Sequence, residues 1–163
     1  MSRWYAAFLE RFDQISRIVV VTCMTVMIVV VSTQVVLRYL FNSSVDWADE
    51  VARLAFVWAI FLAIPLGIRQ GAHVGIELLM ARLPSALRTW LARLMSLLAA
   101  VLMAVVFYEG IRVAAETWDE RLPTLDLTSS TFFVAVIISA GHSFLHLVQL
   151  LWRSGGKSEV SAE

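Results

Sequence analysis

The chain has 163 residues, 60% hydrophobic and 16% charged, with 13 basic and 13 acidic side chains and no net charge. About a quarter charged is usual for a soluble domain, so one membrane domain is expected, with no room for a soluble catalytic domain beside it. With no basic tail, nucleic acid is not an expected partner, and the single cysteine, Cys23, excludes an internal disulfide.

The first segment, Trp4–Ile15, places Trp4, Phe8, Phe12 and Ile15 at helical spacing, with Arg3, Glu10, Arg11, Asp13 and Gln14 mainly on other faces. Two readings stand: a short amphipathic helix in the interfacial plane, or a plain extension of the helix that follows. Ile18–Leu37 then runs without a charge, as do Leu54–Ile68, Leu94–Tyr108 and Leu127–Trp152. Lipid offers no hydrogen bonds to a bare backbone, so such runs must be helices or barrel strands, and these are too long and too uniformly apolar for barrel strands. The first is longer than a signal core and no small-residue cleavage pattern follows it, so a retained anchor is expected.

The fold class expected is therefore all-α integral membrane, with four transmembrane helices over about 17–40, 47–70, 85–112 and 127–152. They form one domain over 1–153, and 154–163 is a polar tail expected to be disordered. Asp46, Asp49 and Glu50 suit the start of the second helix. In the second loop a short amphipathic piece is expected over His73–Leu83, before a third helix opening after Pro84. Basic residues set the orientation. Arg3, Arg11, Arg17, Arg69, Arg82, Arg88, Arg93, Arg153 and Lys157 fall on one side, and only Arg38, Arg53, Arg112 and Arg121 on the other. Both termini are thus expected in the cytoplasm.

The second and third apolar runs are short, at about 22 Å each if helical, so charged residues must be recruited at their ends. Long side chains there can snorkel. The sharper reading is a protein-shielded cluster of Arg38, Glu50 and Arg53, the latter two sharing a helix face. Ala55, Ala59, Ala63 and Gly67 form a small-residue stripe fit for close helix approach. Pro65 frees the carbonyl of Phe61 and should bend the helix. A weaker stripe of Ala135, Ser139 and Ser143 runs along the fourth helix. His142 and His146, four apart there, could ligate a metal or contribute to a haem site. Histidines bonded to a neighbouring helix are the plainer account. No nucleophile, phosphate loop or zinc pattern appears, and no catalytic residue, metal or cofactor is expected.

Residues Gln34 to Pro84 resemble the small membrane subunit of tripartite ATP-independent periplasmic (TRAP) transporters. The matching pieces are Gln34-Val35-Val36-Leu37-Arg38-Tyr39, Trp47-Ala48-Asp49-Glu50-Val51-Ala52-Arg53, Phe56-Val57-Trp58 and Arg69-Gln70-Gly71-Ala72-His73-Val74-Gly75-Ile76-Glu77. Two family prolines around the fourth helix are missing: Thr128 stands in place of one, and the other would precede Ala140-Gly141. The resemblance implies a non-enzymatic subunit of the bacterial inner membrane that binds no substrate itself. It would pack against and brace a large transport subunit during sodium-coupled uptake of an organic acid brought by a periplasmic binding protein. Arg38, Trp47, Asp49, Glu50, Arg53, Ala55, Ala59, Ala63, Gly67, Arg69 and His73 are its candidate interface and structural residues, and membrane lipids complete the expected partners.

Overall fold

The computed structural model describes residues 3–69 and 84–156. It is all-helical: α1 (Arg3–Leu40), α2 (Asp46–Arg69), α3 (Ser85–Glu116) and α4 (Ser130–Gly156). All four are long and apolar enough to cross a membrane.

No glycine or proline interrupts residues 3 to 40, and α1 runs unbroken for 38 residues, about 57 Å at 1.5 Å per residue. The N-terminal segment is therefore the first turns of this helix and not a separate one. Its aromatic side faces out of the row. Phe8 and Ile15 are exposed, while Leu9, Asp13 and Ser16 are buried. Asn42 ends the helix region at φ 48°, a backbone conformation asparagine tolerates well. The Ser43 N–H folds back onto the Leu37 carbonyl at 3.2 Å.

Asp46 and Asp49 occupy the first turn of α2 and Pro65 lies inside it. α3 begins directly after Pro84 and stops at Thr117, whose N–H and hydroxyl both return to the Val113 carbonyl. The α3–α4 connection folds on itself. Leu122 N–H donates to the Leu127 carbonyl at 2.9 Å and Ser129 N–H to the Glu120 carbonyl at 2.7 Å. These bonds hold residues up to Ser129 outside the helix, so α4 starts at Ser130. At its far end α4 continues to Gly156, and the residues beyond lie outside the described ones.

The helices pack in the order α1, α2, α4, α3: α1 on α2, α2 on α4, and α4 on α3. Among the described residues the remaining pairs meet little or not at all. The result is an open row among the described residues, with α4 carrying more buried residues than any other helix. Ala135, Ser139, Ala140, His142, Ser143, His146 and Leu147 are all buried on it. Glycine sets the α3–α4 spacing. A methyl at Gly110 would stand 3.1 Å from Ile137, and one at Gly141 3.3 Å from Phe107. An apolar groove of 530 Å³ separates the first turns of α1 from α3, lined by Phe8, Phe12, Phe107 and Phe144 among others.

Candidate functional site

Three polar joints fasten the row at three levels. At the end where α1 begins and α2 stops, Asp13 is buried and accepts from two sides. Arg69 Nη1 donates to its Oδ2 at 2.6 Å. Its Oδ1 lies 2.9 Å from His142 Nε2 and 2.9 Å from His146 Nε2. The two Nε2 atoms are 3.1 Å apart. Ser16 Oγ stands 3.5 Å from His142 Nδ1, and the Phe12 ring meets the His142 ring edge-on at 4.4 Å. Nearby the Tyr5 hydroxyl donates to the Leu145 carbonyl at 2.9 Å. The charge-assisted bond from Arg69 holds the carboxylate in place. The joint therefore ties α1 to the last turn of α2 and to the middle of α4.

In mid-helix, Pro65 has no N–H for the Phe61 carbonyl. Ser139 Oγ donates to that carbonyl across the α2–α4 contact. One level away, Trp58 Nε1 donates to the Thr131 carbonyl at 3.2 Å. The hydroxyl thus satisfies a carbonyl that the proline leaves open, and the indole N–H finds an acceptor where lipid offers none.

At the other end, Glu50 is buried and faces the α3–α4 connection. Its carboxylate accepts the Thr124 N–H at 3.2 Å and the Leu125 N–H at 3.0 Å. An ion pair between Arg121 and Asp126 closes the same loop. Ser130 Oγ donates to the Ala114 carbonyl at 2.6 Å, so the end of α3 is fastened to the start of α4.

The sequence-derived residues fall unevenly on these joints. Glu50 and Arg69 each belong to one. Arg53 lies with its guanidinium 5.4 Å over the Phe132 ring, a cation–π contact. Arg38 is exposed and makes no ion pair with Glu50. The shielded three-residue cluster is therefore replaced by a carboxylate on loop N–H groups, with Arg53 as a nearby charge. Trp47 and Asp49 are exposed at the start of α2. Ala55 and Ala59 are buried, Gly67 is half-buried and Ala63 is exposed. The buried face leaves the small stripe for Leu62 and Pro65, because a four-residue spacing drifts around a helix of 3.6 residues per turn. His73 and the amphipathic piece over 73–83 lie outside the described residues. The haem reading of His142 and His146 is corrected: their Nε2 atoms converge at 3.1 Å from one helix, which cannot place them on opposite faces of a haem.

The family of tripartite ATP-independent periplasmic transporters, DctQ component, matches residues 27–155. The chain belongs to this family. Among relatives, the sialic acid TRAP transporter small permease protein SiaQ of Vibrio cholerae is 29% identical over 120 residues, 72% of this chain and 68% of that protein. The C4-dicarboxylate TRAP transporter small permease protein DctQ of the same species is 26% identical over 116 residues, 71% of this chain and 47% of that one. The sialic acid TRAP transporter permease protein SiaT of Haemophilus influenzae is 32% identical over 79 residues, 48% of this chain but 13% of that much longer protein. The chain is thus a small TRAP permease, a multi-pass protein of a bacterial inner membrane and not an enzyme.

In this small TRAP permease the sequence did not single out Asp13 and Ser16 as members of a polar joint. A signal existed. Leu9, Asp13 and Ser16 share one helical face by their four- and three-residue spacing, and two histidines four apart on α4 share another. Aromatic spacing drew attention to the opposite side of α1.

Proposed function

We propose that this small TRAP permease braces a large transport subunit, with which it forms a heterodimer, and that neither substrate nor sodium passes through it. The observation that carries this reading is the use made of polar groups. Asp13, Ser139 and Glu50 each join one helix to another segment of the same chain. Among the described residues, none of the three lines a cavity that runs through the row from end to end. Outside these joints the row presents apolar surface: Ile18, Val21, Ile28, Val29, Val35 and Val36 on α1, and Leu97, Leu98, Val101, Leu102 and Val105 on α3. Lipid alone gives helices little reason to associate, so a rigid row needs internal fasteners, and its open faces are free to meet a partner.

Arg38, Trp47 and Asp49, exposed around the α1–α2 turn, are the proposed contacts with that partner at one end, and Ala63 at mid-helix. The match to a short part of SiaT, a far longer permease, supports pairing with a large subunit: there a related stretch is covalently joined to a much larger remainder. The surplus of arginine and lysine at the α1 start, the second loop and the α4 end supports cytoplasmic termini. An organic acid substrate delivered by a periplasmic binding protein is supported by the sialic acid and C4-dicarboxylate named for the relatives.

Reconstitution tests the reading. Liposomes holding the large permease and this chain, given binding protein and an inward sodium gradient, should accumulate labelled organic acid. Liposomes holding this chain alone should not. Accumulation by the isolated chain, or full uptake by the large permease without it, overturns the proposal.

A further inference from the structure

The transport reading leaves the convergence of two imidazoles on one carboxylate oxygen unexplained. Bracing α1 needs one hydrogen bond there, yet three ligand-type atoms meet at one point. Asp13 Oδ1, His142 Nε2 and His146 Nε2 all lie within 4.8 Å of one another, and all three residues are buried. We propose that these three atoms form a binding site for one first-row divalent transition-metal ion, which clamps the first turns of α1 to α4.

Donor spacing supports this first. An ion about 2.0–2.1 Å from each donor separates donors by about 3.4 Å at tetrahedral angles and about 2.9 Å at right angles. The separations are 2.9, 2.9 and 3.1 Å. They match three ligands on one face of an octahedron, the two-histidine, one-carboxylate arrangement of ferrous iron sites, and imidazole nitrogens also suit nickel, copper and zinc. Histidines at i and i+4 share a helix face, the spacing by which a single helix supplies two metal ligands.

The surrounding groups support it second. A ligating histidine usually holds its other ring nitrogen on a fixed partner. Ser16 Oγ lies 3.5 Å from His142 Nδ1 and can serve that role. Arg69 binds Oδ2 of Asp13, which fixes the carboxylate and leaves Oδ1 for an ion. Access exists as well. A cavity of 430 Å³ lined by Asp13, Arg69, His146 and Gln149 reaches the cluster from the α1–α2 end, giving an entry path and room for water on the remaining coordination positions. The role is structural: the face joins two helices.

The full-length chain, purified without a histidine tag together with its large permease and stripped with chelator, provides the test. Titration with Co2+ should give about one equivalent bound, as expected of one preformed site, with visible d–d absorption that Zn2+ removes. Zn2+ should also raise the thermal midpoint, and chelator should reverse the rise. His142→Ala and His146→Ala should each weaken binding at least tenfold, and Ser16→Ala by roughly tenfold through ligand orientation. Wild-type binding well below stoichiometry overturns the proposal, as does unchanged affinity in the double histidine variant; both outcomes leave a hydrogen-bonded joint only. Should the alanine variants fail to assemble, X-ray absorption of the wild-type cobalt form decides. Imidazole scattering around cobalt supports the site, and an oxygen-only shell overturns it.

Discussion

At the scale of single residues, Glu50 shows how one carboxylate can hold a loop. It stands on α2, yet its bonds go to the N–H groups of Thr124 and Leu125, more than 70 positions away in the chain. A charged acceptor bonds backbone N–H groups more strongly than a neutral one. Glu50→Ala should therefore free both amides and speed their hydrogen exchange. Glu50→Gln retains one carbonyl oxygen as an acceptor and should speed it less. Exchange measured by mass spectrometry over 117–129 reads this directly, and equal protection in all three forms would show that the hairpin holds itself. The sequence made Glu50 conspicuous as an acid at the edge of an apolar run. Its partners were not legible, because backbone N–H groups carry no residue-type signal and the nearest candidates in sequence were arginines.

At the scale of elements, the Pro65 joint yields a thermodynamic cycle. Ser139→Ala leaves the Phe61 carbonyl without a partner and should destabilise the fold by about 1 kcal/mol, the upper part of the range for such bonds between membrane helices. Pro65→Ala returns an N–H to that carbonyl. In the Pro65→Ala background Ser139→Ala should then lose at least half its effect, and a double-mutant cycle of reversible unfolding in mixed micelles measures the difference. Purely additive effects would mean that the hydroxyl acts elsewhere. Gly110 gives a simpler case. Leucine there drives a branched side chain into Ile137, 3.1 Å from where its Cβ would stand, and should cost about 1–3 kcal/mol as overpacking. How much of this was legible follows from the physics of lipid. Four helices were readable because an apolar backbone in a membrane has no other option, and the stranded Phe61 carbonyl because proline lacks an N–H. Which helix faces which was not. Each spanning helix is apolar nearly all round, so hydrophobic periodicity, which orients helices in water, carries almost no direction here. On α1 the aromatic side faces outward, as lipid-directed groups would, and Asp13 faces in.

At the scale of the whole molecule, the open row makes a claim that a closed four-helix bundle would not. In a closed bundle α1 and α3 would share a core, and a defect in one would be felt by the other. Here α1 is fastened by Asp13 to Arg69 on α2 and to the histidines on α4. α3 is seated against α4 through Gly110 and Gly141, with the apolar groove between its face and the first turns of α1. Mutations far apart and without shared partners add to within about 0.5 kcal/mol, whereas those in one packed cluster couple more strongly. Asp13→Ala removes the acceptor of Arg69 and of the imidazoles and should destabilise by about 1–3 kcal/mol, with Arg69 half-exposed and able to turn to water. Combined with Gly110→Leu, its effect should simply add. Unfolding of the two single variants and the double variant in the same micelles measures this. An interaction energy above about 1 kcal/mol would mean that α1 and α3 sense one another through α4, so that the row behaves as one cooperative core. Additivity instead means that each edge helix can yield to its surroundings without disturbing the other, which is what the bracing role proposed above would require.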